Sequence, residues 1–387
     1  MQSSNVASAS PSRRVAHRVL VRVFDEGAYA DRAFAGEAAE LDARDRAFAQ
    51  RLAYGATQRV RTLDHAIAAI GGRQPSDLDV PVRAALRLGA YELAFMDAVP
   101  PHATVSEAVE LVRGAGAARA TGLVNAVLRK AAGGIGELID GLQDTTAEEA
   151  ALKHSYPDWV ARTWWREWGP DDALGLMRAQ NEPPEHAERV AGTGTWPQSR
   201  GSQLAGWSVG VEEGERVLDL CAAPGGKTMQ LAERAAEVVA VELHPGRARE
   251  LEENVRGLGF ENVTVVNADA RELPAELTGF DRVLVDAPCS GLGVLASRPD
   301  LRWRAKPLPE LQLELLGVAA DRVRTGGTIT YSVCTISAAE NEEVVDATGL
   351  EVEPLAGEFP HPRRPEFQLT MPHKHGTSGF FIARILA

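Results

Sequence analysis

The chain of 387 residues is long enough for two or three domains, and an apolar fraction of 44% lets each of them bury a core. The net charge of −13 argues against a uniformly nucleic-acid-binding surface, but it is unevenly spread: residues 1–132 carry 17 Arg and Lys against 14 Asp and Glu, a balance of +3, and the remainder carries −16. No run of about 18 apolar residues occurs, so no membrane-spanning helix is expected, and three cysteines (Cys221, Cys289 and Cys334) are too few for a disulfide framework and point to a reducing cytosol.

In chain order, residues 1–11 are small and polar, lack the apolar centre of a secretory signal, and are expected to be disordered. Residues 12–132 read as helices throughout. Val15, Val19, Leu20, Val23 and Phe24 share one helical face. Asp79 followed by Pro81 marks a helix start, and Val82, Ala85, Leu86, Gly89, Ala90 and Leu93 form the stripe behind it. Val105, Ala108, Val109 and Val112 make another stripe, and a last helix runs through TGLVNAVLRK to the break at Gly133-Gly134. Arginine far outnumbers lysine, which suits bidentate phosphate contacts and equally fits a compositional bias of the genome.

Residues 133–200 read as an acidic, partly helical linker. Its tryptophans Trp159, Trp164, Trp165 and Trp168 suit either base stacking or packing, and Glu182-Pro183-Pro184 marks a break. From 201 to 387 short β-branched strands alternate with helices: 216–222, 237–243, 263–269, 281–287, 327–334 and a last strand at 379–386. Such repeated units predict an α/β domain with a mostly parallel sheet, whose ligand lies outside the carboxyl ends of the strands.

The chemistry-bearing residues fall at those ends. After the first strand, Gly225 and Gly226 let the backbone approach a ligand, with Pro224 stiffening the entry. The next strand ends in Glu242, suited to a ribose diol. The third ends in Asp269, suited to an adenine, and the fourth in Asp286. Glu242 and Asp269 also read as caps of the following helices. His373 and His375 lack metal-ligand spacing, and no metal is expected.

Two thiols at adjacent strand ends, Cys289 and Cys334, suit covalent attack on an aromatic base. A thiolate added at carbon 6 of cytosine makes carbon 5 nucleophilic toward a methyl donor. The carbon-5 proton then leaves and the thiolate is expelled. The base must be single-stranded or flipped out. Asp286 could hold the cytosine edge, and Arg298, Arg302 and Arg304, with Trp303 between them, could touch an RNA backbone, Arg298 first among them.

The segments DLCAAPGGKT, VEL, NADA, DAPCSGLG and YSVCT resemble the RNA 5-methylcytidine methyltransferases of the NSUN/RsmB (Sun/Fmu) family, and the N-terminal helices resemble the NusB-type RNA-binding domain, the arrangement of the RsmB branch. The resemblance implies a Rossmann-like sheet with a reversed last strand, S-adenosylmethionine as cofactor and small-subunit ribosomal RNA as substrate. It implies Cys334 as nucleophile, Cys289 as an aid to product release, Asp286 in contact with cofactor and cytosine, and Lys227 beside the active site. The loop of Cys221, Ala222, Ala223, Pro224, Gly225, Gly226 and Lys227, with Glu242 and Asp269, would hold the cofactor. The protein is expected to be a cytoplasmic monomer without a membrane partner. Two departures stand out: Val333 replaces the family's usual threonine, and much of an RNA-facing segment before the core is missing. A decayed RNA-binding assembly factor, and a DNA cytosine methyltransferase with Cys289 as nucleophile, are the competing readings.

Overall fold

A computed structural model describes residues 8–387. Residues 1–7, most of the stretch expected to be disordered, lie outside it. Order begins earlier than expected: Ala9 is buried, the Ser10 backbone N–H donates to Glu107 Oε2 at 2.7 Å, and a helix starts at Pro11. Two compact units form. One holds the described residues up to Asn181 together with Arg298–Arg304, and the other holds Glu182–Ser297 and Ala305–Ala387.

The first unit is all helical. Helices Pro11–Phe24, Ala43–Gln58, Val60–Gly71, Pro101–Gly114 and Thr121–Ala131 pack around Val80–Phe95. The expected stripe supplies the contact surface: Val82, Ala85, Leu86, Gly89 and Ala90 are all buried. A side chain the size of Leu86 gains about 1.5–3 kcal/mol from such burial. Gly89 is needed there, because a Cβ would lie 2.5 Å from Leu128 Cδ1 on the neighbouring helix. Asp79 stands at the N-cap as expected, although its side chain makes no cap bond and faces Arg119 at 3.7 Å.

The helices Ile135–Asp140, Ala147–His154 and Asp158–Ala179 continue this unit. The last is broken where Gly169 takes a φ of 81° before Pro170. Trp164 is fully buried edge-on against Tyr156, Trp165 and Trp168 are half-buried, and only Trp159 is exposed. The four tryptophans therefore do not offer one open stacking platform.

The segment Arg298–Arg304 corrects an expectation. Arg302 is 0% exposed and cannot reach RNA. Its Nη1 donates to the carbonyls of Gln58 at 2.9 Å and Ser155 at 3.0 Å, and to Asn181 Oδ1 at 2.9 Å. Its Nη2 donates to Tyr156 Oη at 3.1 Å and the Gln180 carbonyl at 3.2 Å, with the guanidinium 3.9 Å from the Tyr156 ring centroid. Burial lowers the guanidinium pKa to about 10. Trp303 Nε1 donates to the Thr57 carbonyl at 2.7 Å, and Arg304 to the carbonyls of Ala28 and Gly27. These side chains are spent on orphaned carbonyls of the helical unit.

The second unit opens with a hairpin, β1 (Glu188–Ala191) and β2 (Gly194–Pro197), in the region read as a linker. Its two-residue turn uses Gly192 at a φ of 53°. Then come β3 (Arg216–Asp219), β4 (Glu237–Glu242), β5 (Val263–Asn267), β6 (Phe280–Asp286), β7 (Val323–Val333), β8 (Val352–Glu353), β9 (Gln368–Thr370) and β10 (Phe380–Leu386). The sheet order is β5-β4-β3-β6-β7-β10-β8, with β9 paired to β10. The ladders from β5 to β7 are parallel, and β10 runs antiparallel to β7, giving the mostly parallel sheet with a reversed last strand. Strand order turns outward on both sides of β3 and β6, so the loops after their carboxyl ends border the switch point where such sheets bind ligands.

Candidate active site

β3 ends at Asp219, and the chain turns through Leu220–Gly225 into the helix Gly226–Ala232. Gly225 makes the turn at a φ of 113°, and a Cβ on Gly226 would lie 2.7 Å from Trp196 Nε1. Backbone conformation and the packing of Leu251 and Trp196 thus call for glycine at both positions. Asp219 is buried and accepts the Thr228 hydroxyl at 2.8 Å; burial, reinforced by Asp286, raises its pKa to about 7. Burial, with Asp219 adding to it, pushes the Cys221 thiol far up, which leaves it an unreactive packing group.

Glu242 closes β4 as a buried carboxylate. Its Oε1 accepts the His244 backbone N–H at 2.9 Å, and its Oε2 lies 3.5 Å from Arg247, whose guanidinium also donates to the Ala223 carbonyl at 2.6 Å. The loop and this carboxylate are therefore tied together. Asp269 caps the short helix Ala270–Glu272, as the alternative reading allowed. It accepts from Arg271 through the backbone N–H at 3.0 Å and through Nε and Nη2 at 3.0 and 2.7 Å, and this arginine lowers its pKa to about 2. A tight glycine turn followed by carboxylates at or just past the next two strand ends is the arrangement a nucleoside-bearing cofactor requires.

The reactive groups converge past β6 and β7. Asp286 Oδ2 accepts from Lys227 Nζ at 2.9 Å, and Oδ1 accepts the Ser332 hydroxyl at 2.7 Å, so both carboxylate oxygens are aimed. Lys227 is largely buried and lies 4.8 Å from the Phe380 ring centroid. Ser332 pairs with Asp286 in the sheet register, and the two-residue repeat of a strand puts Cys334 on the same side. The Sγ atoms of Cys289 and Cys334 are 3.3 Å apart. The hydrogen bond between them, with burial behind it, raises the Cys289 thiol pKa well above its usual value. Val333, where a threonine was expected, is 0% exposed and pairs with Phe381 of β10, an environment that suits an apolar side chain.

The structure thus brings Lys227, Asp286, Cys289 and Cys334 into one cluster beside the loop Cys221–Lys227. Arg298 is not among them: it belongs to the helical unit, 3.5 Å from Asp31 and over the Tyr29 ring. Ser332 was missed by sequence reasoning, although strand alternation two residues before Cys334 pointed to it. His375 Nδ1 accepts the Met371 backbone N–H at 2.9 Å, and among the described residues no group of three or more His, Cys, Asp or Glu is placed to hold a metal. No helix of the described residues is long and apolar enough to cross a membrane.

The fold and this cluster define a Rossmann-like transferase with a NusB-type helical domain. Residues 208–386 match the family model for the 16S rRNA methyltransferases RsmB/F, and residues 10–133 match the NusB family. The ribosomal RNA small subunit methyltransferase B of Thermus thermophilus is 34% identical, with 88% of this chain and 89% of that protein covered. That of Vibrio cholerae is 29% identical, with 96% of each covered; its alignment runs to 428 positions, so it carries residues without a counterpart in this shorter chain. The crystal structure of PH0851 matches with a TM-score of 0.80 at 24% identity, over 98% of this chain and all of that one, and shows the same fold. The chain belongs to the RsmB/F family of S-adenosylmethionine-dependent ribosomal RNA methyltransferases.

Proposed function

We propose that the protein methylates carbon 5 of a cytidine in small-subunit ribosomal RNA through a covalent bond between Cys334 Sγ and carbon 6 of the base. The observation that carries this reading is the 3.3 Å approach of the two sulfurs beside an Asp286 carboxylate fixed by Lys227 and Ser332. The loop Cys221–Lys227, Glu242, Asp269 and Asp286 would hold S-adenosylmethionine. When bound, that cofactor supplies the electrophilic methyl group.

The Cys334 thiolate adds to carbon 6, and the electron pair displaced from the ring double bond makes carbon 5 nucleophilic. Asp286 accepts from the cytosine amino edge and keeps it oriented, and Lys227 and Ser332 hold its carboxylate in place. After methyl transfer the carbon-5 proton leaves to a base, its electron pair re-forms the double bond, and the S–C6 bond breaks to return the thiolate. Cys289, held as a thiol, donates its S–H to the departing Cys334 sulfur and favours that expulsion. Arg298 contacts RNA by exchanging Asp31 for a phosphate.

The test is transfer of labelled methyl from S-adenosylmethionine to 16S rRNA, with a bisulfite map of the product. Cys334→Ala should abolish transfer, and Cys289→Ala should trap an RNA–protein adduct on a denaturing gel. Adduct lost in Cys289→Ala and kept in Cys334→Ala would reverse the roles. RNA binding without any transfer would instead favour an assembly factor.

A further inference from the structure

Glu340, just past Cys334 in the chain, is 0% exposed, yet three neutral N–H groups converge on one of its oxygens. Oε1 accepts from the backbone N–H groups of Ser290 and Leu308 and from Gln312 Nε2, each at 3.0 Å. Oε2 has no hydrogen-bond partner among the described residues. The second hydrogen of Gln312 Nε2 goes to the Pro288 carbonyl at 2.9 Å. The Tyr331 hydroxyl fixes the Glu340 backbone carbonyl at 2.7 Å. Cys289 lies between the residue whose carbonyl Gln312 holds and the residue whose N–H Glu340 holds. Burying a carboxylate against neutral donors is unfavourable for the fold, and an apolar residue would pack there at less cost.

We infer that Glu340 and Gln312 are a positioning pair that clamps the backbone on both sides of Cys289 and aims its thiol at the Cys334 sulfur. Without the clamp the segment keeps the Ala287 N–H to Ser332 carbonyl bond at 2.9 Å and the Ser290 Oγ to Thr335 Oγ1 bond at 3.0 Å, neither of which holds the Pro288 carbonyl or the Ser290 N–H. The charge of Glu340 also helps to keep Cys289 protonated, behind the larger effects of the Cys334 sulfur and burial. The inference rests on the reading of Cys289 as the thiol that assists release, and it assigns the residues that make that thiol effective.

The experiment uses the full chain, a 16S rRNA transcript and labelled S-adenosylmethionine. Cys289→Ala, Gln312→Ala, Glu340→Ala and Glu340→Gln are compared with wild type for adduct on denaturing gels, kcat, KM and melting. Gln312→Ala and Glu340→Ala should accumulate adduct and lose about tenfold or more in kcat, with KM for RNA falling alongside so that kcat/KM changes little, because a small misplacement of a reacting group is costly. Glu340→Gln keeps an accepting oxygen and should recover release near neutral pH. Its alkaline limb should move to lower pH, because a negative charge has left the neighbourhood of the thiol. Where Glu340→Ala fails to fold, Gln312→Ala decides. Adduct and turnover falling together in the clamp variants, or turnover equal to wild type, overturns the inference. If Cys289→Ala itself traps no adduct, the role of Cys289 fails and the clamp with it; adduct in Cys289→Ala alone refutes only the clamp.

Discussion

Replacing Arg302 should damage stability out of proportion to its distance in sequence from the helices it serves. The side chain is 0% exposed and feeds six acceptors, four of them main-chain carbonyls. An acceptor left dry costs about 1–3 kcal/mol, but water entering the vacated space and the recovered cost of burying a guanidinium offset part of the total. A net loss of about 3–5 kcal/mol is expected for Arg302→Ala, or about 10 °C in melting for a unit of this size. Arg302→Lys keeps three donors but loses the planar stacking on Tyr156 and should forfeit about half of that. Arg302→Met fills the volume with no donor and should cost nearly as much as alanine. Urea unfolding of the full chain, followed by circular dichroism, measures all three. A methionine variant within about 0.5 kcal/mol of wild type would show that the carbonyls do not need the guanidinium, and would refute the argument.

Asp219 predicts a pH signature. Its native pKa of about 7 lies above the ordinary 3.8, so the native state holds a proton that the unfolded chain has released; stability should fall as pH rises from about 4 to 7 and level off above. Asp219→Asn should remove that slope and exceed wild type by about 4 kcal/mol at pH 8, with the gap closing toward pH 4 in denaturant titrations. Gly225→Ala must adopt a φ of 113° and place its Cβ 2.7 Å from Leu251 Cδ1, so a loss of about 1–3 kcal/mol and weaker S-adenosylmethionine binding by calorimetry are expected. Hydrogen peroxide should convert Cys289 and Cys334, 3.3 Å apart, to a disulfide through a sulfenic acid, with two waters formed over the two steps. Mass spectrometry should show the loss of two hydrogens, with methyl transfer recovered on adding dithiothreitol.

The strand-end residues were legible because a strand followed by a functional loop is a local pattern. Asp286 and Glu242 stand at the last positions of β6 and β4, and Cys334 directly follows β7. The sulfur pair could be anticipated because β6 and β7 are neighbours in a parallel sheet. What escaped was either short or distant. The Gly192-Thr193 turn sits between strands of only four residues, too brief for alternation to stand out beside the surrounding helices. Arg302 looks like a phosphate contact in sequence, since nothing local shows that six acceptors 121 or more residues away will enclose it. Glu340 lies in an acidic run that reads as a solvated helix start, and its burial becomes visible only once Gln312 and the loop 288–290 close over it.

The helical unit is assembled from two separated stretches of chain, and this bears on how it is made. Translation delivers Asn181 about ten seconds before Arg302, at roughly 5–20 residues per second. Throughout that interval the nascent helices carry an unfilled polar hollow at Gln58, Ser155 and Gln180. Their final locking must wait for a residue encoded well inside the catalytic half, so a gene cut after Asn181 would yield a bundle lacking its own keystone.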